Sequence, residues 1–226
     1  MTTRPLQNRV DPWGSLRAVP ERGGLMGNRG ILHDAQQRIV KPWAHQAWIT
    51  CLLSFGNYRR TPFSPRKYSE LFFLDEATAF AAGHRPCGEC QRERYWQFKD
   101  YWSRAQGQTA PKVKDIDATL HAERAIRGGG KRTHLATVAD LPIGAMFEYG
   151  QEAWLVWRDG CRAWSFAGYG PPTPFDRATV VRVLTPPSIV RVFALGFVPR
   201  VHPSADAERG AIRGSETLDN PHRIRA

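Results

Sequence analysis

Leu71-Phe72-Phe73-Leu74-Asp75-Glu76-Ala77-Thr78-Ala79-Phe80-Ala81-Ala82-Gly83-His84-Arg85-Pro86-Cys87-Gly88-Glu89-Cys90 is the stretch around which the rest of the chain is organised. Its apolar start, from Glu70 to Leu74, reads as a buried strand. Asp75 is placed as a helix N-cap, its side chain free to accept from the first turn, and Gly83 as the left-handed residue that ends the helix Glu76 to Ala82. The turn after it presents two thiols three residues apart. Pro86 fixes one backbone angle and Gly88 frees the other, so both sulfurs can aim at one tetrahedral ion. Cys87 and Cys90 are therefore the first expected zinc ligands, and half of a site must come from elsewhere.

Length and charge bound the remainder. The chain has 226 residues, enough for one large domain or two small ones. Lys and Arg number 32 against 21 Asp and Glu, a formal charge of +11. A field of that sign draws polyanions, which makes nucleic acid the expected partner, with solvated surface charge as the alternative reading. The first residues lack a secretory pattern and no apolar run approaches the ~20 residues of a membrane span. A cytoplasmic protein with no membrane partner is expected. Four cysteines in such a compartment favour a metal over disulfides.

The organisation expected is α+β. Residues 1–24, broken by Pro and Gly, read as an irregular arm, and 25–127 as a metal-binding domain of a β-meander plus helices. Within it Gly30–Asp34, Arg38–Lys41 and Trp48–Phe55 are β-prone, with Cys51 on the more apolar side of the third run. Helices are expected near 91–105, with Tyr95, Phe98 and Trp102 on one side, and over 115–126. The Gly-rich basic stretch 128–134 reads as a linker, because its spacing is not that of a phosphate-binding loop. Residues 135–205 read as a small all-β domain, barrel or sandwich, ending in a short helix after Ser188. The apolar-poor tail 206–226 is expected to be disordered.

The segment from Leu71 to Cys90 resembles the metal-binding N-terminal domain of the Ada DNA-repair family, over residues ~30–92 when the upstream strands are included. His84 stands where that family usually has an aromatic residue. The same half-site is similar to a module appended to some thermonuclease-like proteins. Over its whole length the chain is similar to a family of bacterial proteins, a similarity that implies no activity. The resemblance implies a zinc ion, Zn2+, held by Cys87 and Cys90, and a third thiolate at Cys51, the only upstream cysteine. It departs from the family there, because no second upstream cysteine follows Cys51. His33, on the first strand of the meander, is taken as the fourth ligand of a closed Cys₃His set. His45 and His84 are rivals, and Cys161 reads as a lone structural thiol.

The function expected is a zinc-stabilised nucleic-acid-binding protein, DNA more than RNA, associated with repair through the resemblance. Its contacts are assigned to Arg59, Arg60, Arg66 and Lys67 in a basic loop, to Arg85 and Arg92 around the knuckle, and to Lys131 and Arg132 in the linker. One alternative is an enzyme acting on nucleic acid, a nuclease, glycosylase or methyl acceptor. It would draw on His33, Asp34, Glu70, His121, Glu123 or His134, no two of which are spaced to force a catalytic geometry. The other is a protein-interaction module built on the Trp-rich C-terminal part.

Overall fold

A computed structural model describes residues 5–56 and 61–207, and these form an α+β fold of two six-stranded sheets and four α-helices. The first sheet contains β1 (Arg9–Val10), β2 (Leu16–Arg17), β3 (Leu25–Asn28), β4 (Ile49–Cys51), β5 (Leu71–Phe73) and β6 (Arg85–Pro86). Their order is β2-β1-β5-β3-β4-β6. The stretch read as an irregular arm thus supplies two strands. Each is only two residues long, too short for alternation to show, yet Val10 is wholly buried and Arg9 pairs with Phe72. The β-prone runs at 30–34 and 38–41 contribute no strand, only the bridge between His33 and Ile39. Asp34 closes the turn between them by accepting from the N–H groups of Gln36 and Arg38.

The knuckle stretch folds as its local chemistry dictates. The Asp75 carboxylate accepts from Thr78 N at 2.9 Å and starts α1 (Glu76–Ala81), and Gly83 follows its end at φ +82°. All six residues of α1 are buried. Ala77 and Ala81 pack with Met146, Leu155 and Trp157 of the second sheet, Ala79 with Leu71 and Phe73 of the first, and Phe80 with the helices. A helix buried on every side is one enclosed by its neighbours, and its alanines let both sheets come close while Glu76 and Thr78 find polar partners.

The helical layer comprises α2 (Arg92–Gln106), α3 (Val113–Arg124) and α4 (Pro187–Ala194). Phe98, Trp102, Ile116, Leu120, Ile189 and Phe193 meet Phe80 there. The second sheet contains β7 (His134–Thr137), β8 (Met146–Tyr149), β9 (Glu152–Trp157), β10 (Gly160–Ser165), β11 (Gly168–Thr173) and β12 (Val180–Val183). Its order is β11-β10-β9-β8-β12-β7 and every pairing is antiparallel. Where a barrel or sandwich was expected, these strands form a single sheet. Its end strand β11 carries Pro171 and Pro172, which an edge tolerates because one side of the strand needs no N–H donors.

Buried polar groups lock α1 and its cap to the second sheet, to α2 and to the segment after α4. The second Asp75 oxygen accepts from Tyr169 Oη at 2.8 Å and from His202 N at 2.9 Å. Glu76 pairs with Arg94 at 2.6 Å and accepts from Arg200 N. No helix among the described residues is long and apolar enough to cross a membrane.

Candidate metal centre

β4 and β6 run parallel, with Ile49 opposite Arg85 and Thr50 opposite Pro86. That register sets Cys51, the last residue of β4, beside Cys87, the first residue past β6, and Cys87 N donates to Thr50 O at 2.9 Å. The turn through Gly88 then returns Cys90 to the same place, just before α2. Glu89 N donates to Cys87 Sγ at 3.4 Å, and Gln91 Nε2 donates to Thr50 O at 2.9 Å, tying the turn to β4. The outcome is three sulfurs within 4.8 Å of one another.

The thiols act as one titrating group. The proton that Cys51 donates to Cys87 draws the Cys87 thiol down to about 5 and holds that of Cys51 far above its ordinary value, while burial raises that of Cys90. The positive end of α2 lies two residues beyond Cys90 and favours thiolate there. Sulfurs about 2.3 Å from a tetrahedral zinc stand roughly 3.8 Å apart, so this set closes on such an ion with little movement. Three thiolates are soft donors, suited to zinc rather than to magnesium or calcium.

The sulfurs line one wall of a cleft of about 400 Å³. Leu52, Leu53 and Phe55, just past β4, furnish its apolar side, and Tyr68, Glu70 and Glu89 its polar side. Glu70 is buried and its Oε2 accepts from Phe63 N at 2.9 Å. The apolar run that places Cys51 thus belongs to a cleft wall, with Leu53 and Phe55 exposed along it, and not to a closed core.

His33 is not part of the cluster. Its Nδ1 bonds Ser69 Oγ at 2.6 Å and its ring stacks on Phe63 at 4.6 Å, because 31–41 folds back on itself before β4 begins. The fourth ligand assigned from sequence is therefore corrected: the structure brings together three donors, all sulfur. His84 is fully buried, with Nε2 accepting from Arg29 Nε at 3.2 Å. His45 is exposed. Cys161 sits among Phe147, Val181 and Val183 in the second sheet, where burial raises its thiol to about 11.

The other candidates are dispersed. Asp34 pairs with Arg38, Glu123 accepts from Ser188 N and Oγ, His121 meets the Trp43 ring edge-on and His134 lies on β7. Among the described residues the three cysteines are the one group of His, Cys, Asp and Glu gathered as for a metal. Of the cations, Arg66, Lys67, Arg92 and Arg132 are exposed, whereas Arg59 and Arg60 lie outside the described residues. Arg85 is turned inward to a bidentate pair with Asp117 at 2.7 and 2.8 Å, and Lys131 sends its ammonium to Ala81 O. Arg85 is structural where a solvent-facing phosphate contact was expected, since its guanidinium is taken up by Asp117, and the Lys131 ammonium is turned toward an internal cavity and not outward on a surface joint. No protein-family model, curated protein or solved structure matches the chain.

Proposed function

We propose that Cys51, Cys87 and Cys90 hold a zinc ion and that the protein binds nucleic acid, DNA more than RNA, across the face around that ion. The observation that carries the reading is the convergence of three thiols from two strands and a turn. The formal charge of +11 supports the partner, and Arg66, Lys67 and Arg92 supply exposed cations on the two segments that border the cleft. Reduced thiols of this kind suit the cytoplasm. The Ada-like origin of the knuckle belongs to the same proposal.

Three protein donors beside a cleft also favour a second reading, an enzyme acting on nucleic acid. A closed staple has four protein ligands, whereas three leave a position for water or a substrate atom. Zinc bound there would supply Lewis acidity, and Glu70 and Glu89, which line the same cleft, are the carboxylates available to accept or return a proton. Metal analysis of the purified protein should find about one zinc per chain, and loss of that zinc in Cys87→Ser; absence of metal from the wild type would sink both readings. Binding to labelled duplexes that weakens steeply with salt supports the first, and turnover lost in Glu70→Gln promotes the second.

A further inference from the structure

The opposite end of the β4–β6 pair leads into a different cavity, of about 350 Å³. Four cations line it and no carboxylate does. Arg29 is 2 % exposed and Arg124 1 %. Their guanidiniums lie 4.2 and 4.0 Å from the ring of Trp48, the residue that precedes β4. Arg29 donates to His84 Nε2 and to Gly14 O, which leaves its Nη2 buried without a partner. Arg124 donates to the carbonyls of Gly83 and Gln46, which leaves its Nε likewise. Lys131 encloses its ammonium against Ala81 O, and the half-buried Trp43 offers a further unpartnered N–H.

Among the described residues none of Arg29, Arg124 and Lys131 forms an ion pair, and the acids nearby are engaged elsewhere. Asp11 pairs with Arg17, Asp117 with Arg85, and Glu123 accepts from Ser188. Burial draws Arg29 down to about 9, and burial followed by repulsion from Arg124 and Arg29 draws Lys131 to about 7. Asp11, Asp117 and Glu123 offset part of this charge from a distance, but buried cations without a contacting counter-charge and buried donors without acceptors both disfavour the folded state. A fold retains such a cluster where a ligand supplies the missing acceptors and the missing negative charge.

We propose that this cavity is a nucleotide site, in which Arg29, Arg124 and Lys131 receive a phosphate monoester and the walls formed by Trp13, Trp43 and Pro42 receive a flat organic body. A phosphate monoester carries nearly two negative charges and three acceptor oxygens, which matches three cations with donors to spare. The volume is that of a small-ligand pocket, and indoles are the surfaces on which bases stack. The site is separate from the sulfur cluster and does not depend on the metal reading. Its ligand can be a free mononucleotide or the 5′-phosphorylated end of a chain.

Calorimetric titration of the full-length protein tests this with inorganic phosphate, adenosine 5′-monophosphate, adenosine, and a single-stranded oligonucleotide bearing either a 5′-phosphate or a 5′-hydroxyl. Adenosine monophosphate should bind at least about tenfold more tightly than phosphate, and adenosine should not bind. A gain of similar size from the 5′-phosphate on the oligonucleotide assigns the site to chain ends; no gain assigns it to free nucleotide, and the proposal stands in both cases. Arg29→Met and Lys131→Met should each weaken adenosine monophosphate at least about tenfold with zinc content unchanged. Lys131→Met should also raise the melting temperature in phosphate-free buffer and abolish the rise that adenosine monophosphate gives the wild type. The proposal is overturned if no phosphate-bearing probe binds at millimolar concentration, if adenosine binds as well as its monophosphate, or if Lys131→Met melts lower while binding is unchanged.

Discussion

The two ends of the β4–β6 pair differ in chemistry although the same short ladder builds both. At the trailing end Cys51 and Cys87 lie side by side and gather lone-pair donors. At the leading end Trp48 and His84 lie side by side, Arg85 N donates to Trp48 O, and the surrounding groups are almost all N–H donors. Three steps along the strand, from Trp48 to Cys51, separate them, roughly 10 Å. One end calls for a cation and the other for an anion. Between them the ladder is held by Arg85, whose guanidinium is committed to Asp117 beneath α2 and α3.

If the ends are independent, removing one must spare the other. The largest effect should come from Cys87→Ser combined with Cys90→Ser, which is expected to abolish zinc binding and lower stability by the whole metal contribution, while adenosine monophosphate binding persists; metal analysis and calorimetry on one sample decide it. Arg85→Ala comes next. It leaves the Asp117 carboxylate buried and unpaired and should cost about 3–5 kcal/mol in urea denaturation, weakening both ends together. The double change Arg85→Met with Asp117→Leu should recover most of that loss if the pair only holds the ladder.

A third comparison uses pH. Lys131 faces Arg124 from α3, Arg29 beyond β3, Asp11 beyond β1, His84 ahead of β6 and His134 on β7. Its folded value, about 7, lies below the 10.5 of an ordinary lysine. Between those values the unfolded chain holds a proton that the folded one has released, so stability should rise with pH across that window and fall back as pH drops through 7. Denaturation midpoints from pH 6.5 to 9.5 should show this rise in the wild type and a smaller one in Lys131→Met, the remainder coming from groups such as the depressed Cys87 thiol. Saturating adenosine monophosphate should flatten it, because a bound phosphate keeps Lys131 charged. The smallest effect is expected from Arg66→Ala with Lys67→Ala, which should lower the salt slope of duplex binding by about two without changing sequence preference.

How much of this could be read beforehand depended on how local the signal was. The cap at Asp75, the stop at Gly83 and the Cys87–Cys90 turn are each specified within a few residues, and all three are present. Cys51 was legible because it is the only thiol upstream. His33 misled because the runs at 30–34 and 38–41 meet only at the His33–Ile39 bridge and join no sheet, which leaves the imidazole to Ser69 and Phe63 and away from Cys51. β11 carries no local strand signal, because Gly168, Pro171 and Pro172 favour turns, although an end strand accommodates them. The cation cluster had no local mark at all. Arg29, Trp48, Arg124 and Lys131 come from four separate segments, and Lys131 was assigned with Arg132 to nucleic-acid contacts on a linker and not to a buried cluster.

Gly83 connects the two halves of this comparison. A side chain at that position would face both a left-handed backbone and the stem of Arg124, whose Cδ and Cβ occupy the space a methyl group needs. One atom's absence therefore ends the helix before the sulfur turn and also gives a buried guanidinium its berth. A chain that keeps the Cys-x-x-Cys turn but replaces this glycine must re-route the stem of residue 124, so a change at 83 carries into the cation cluster as well as into the helix stop.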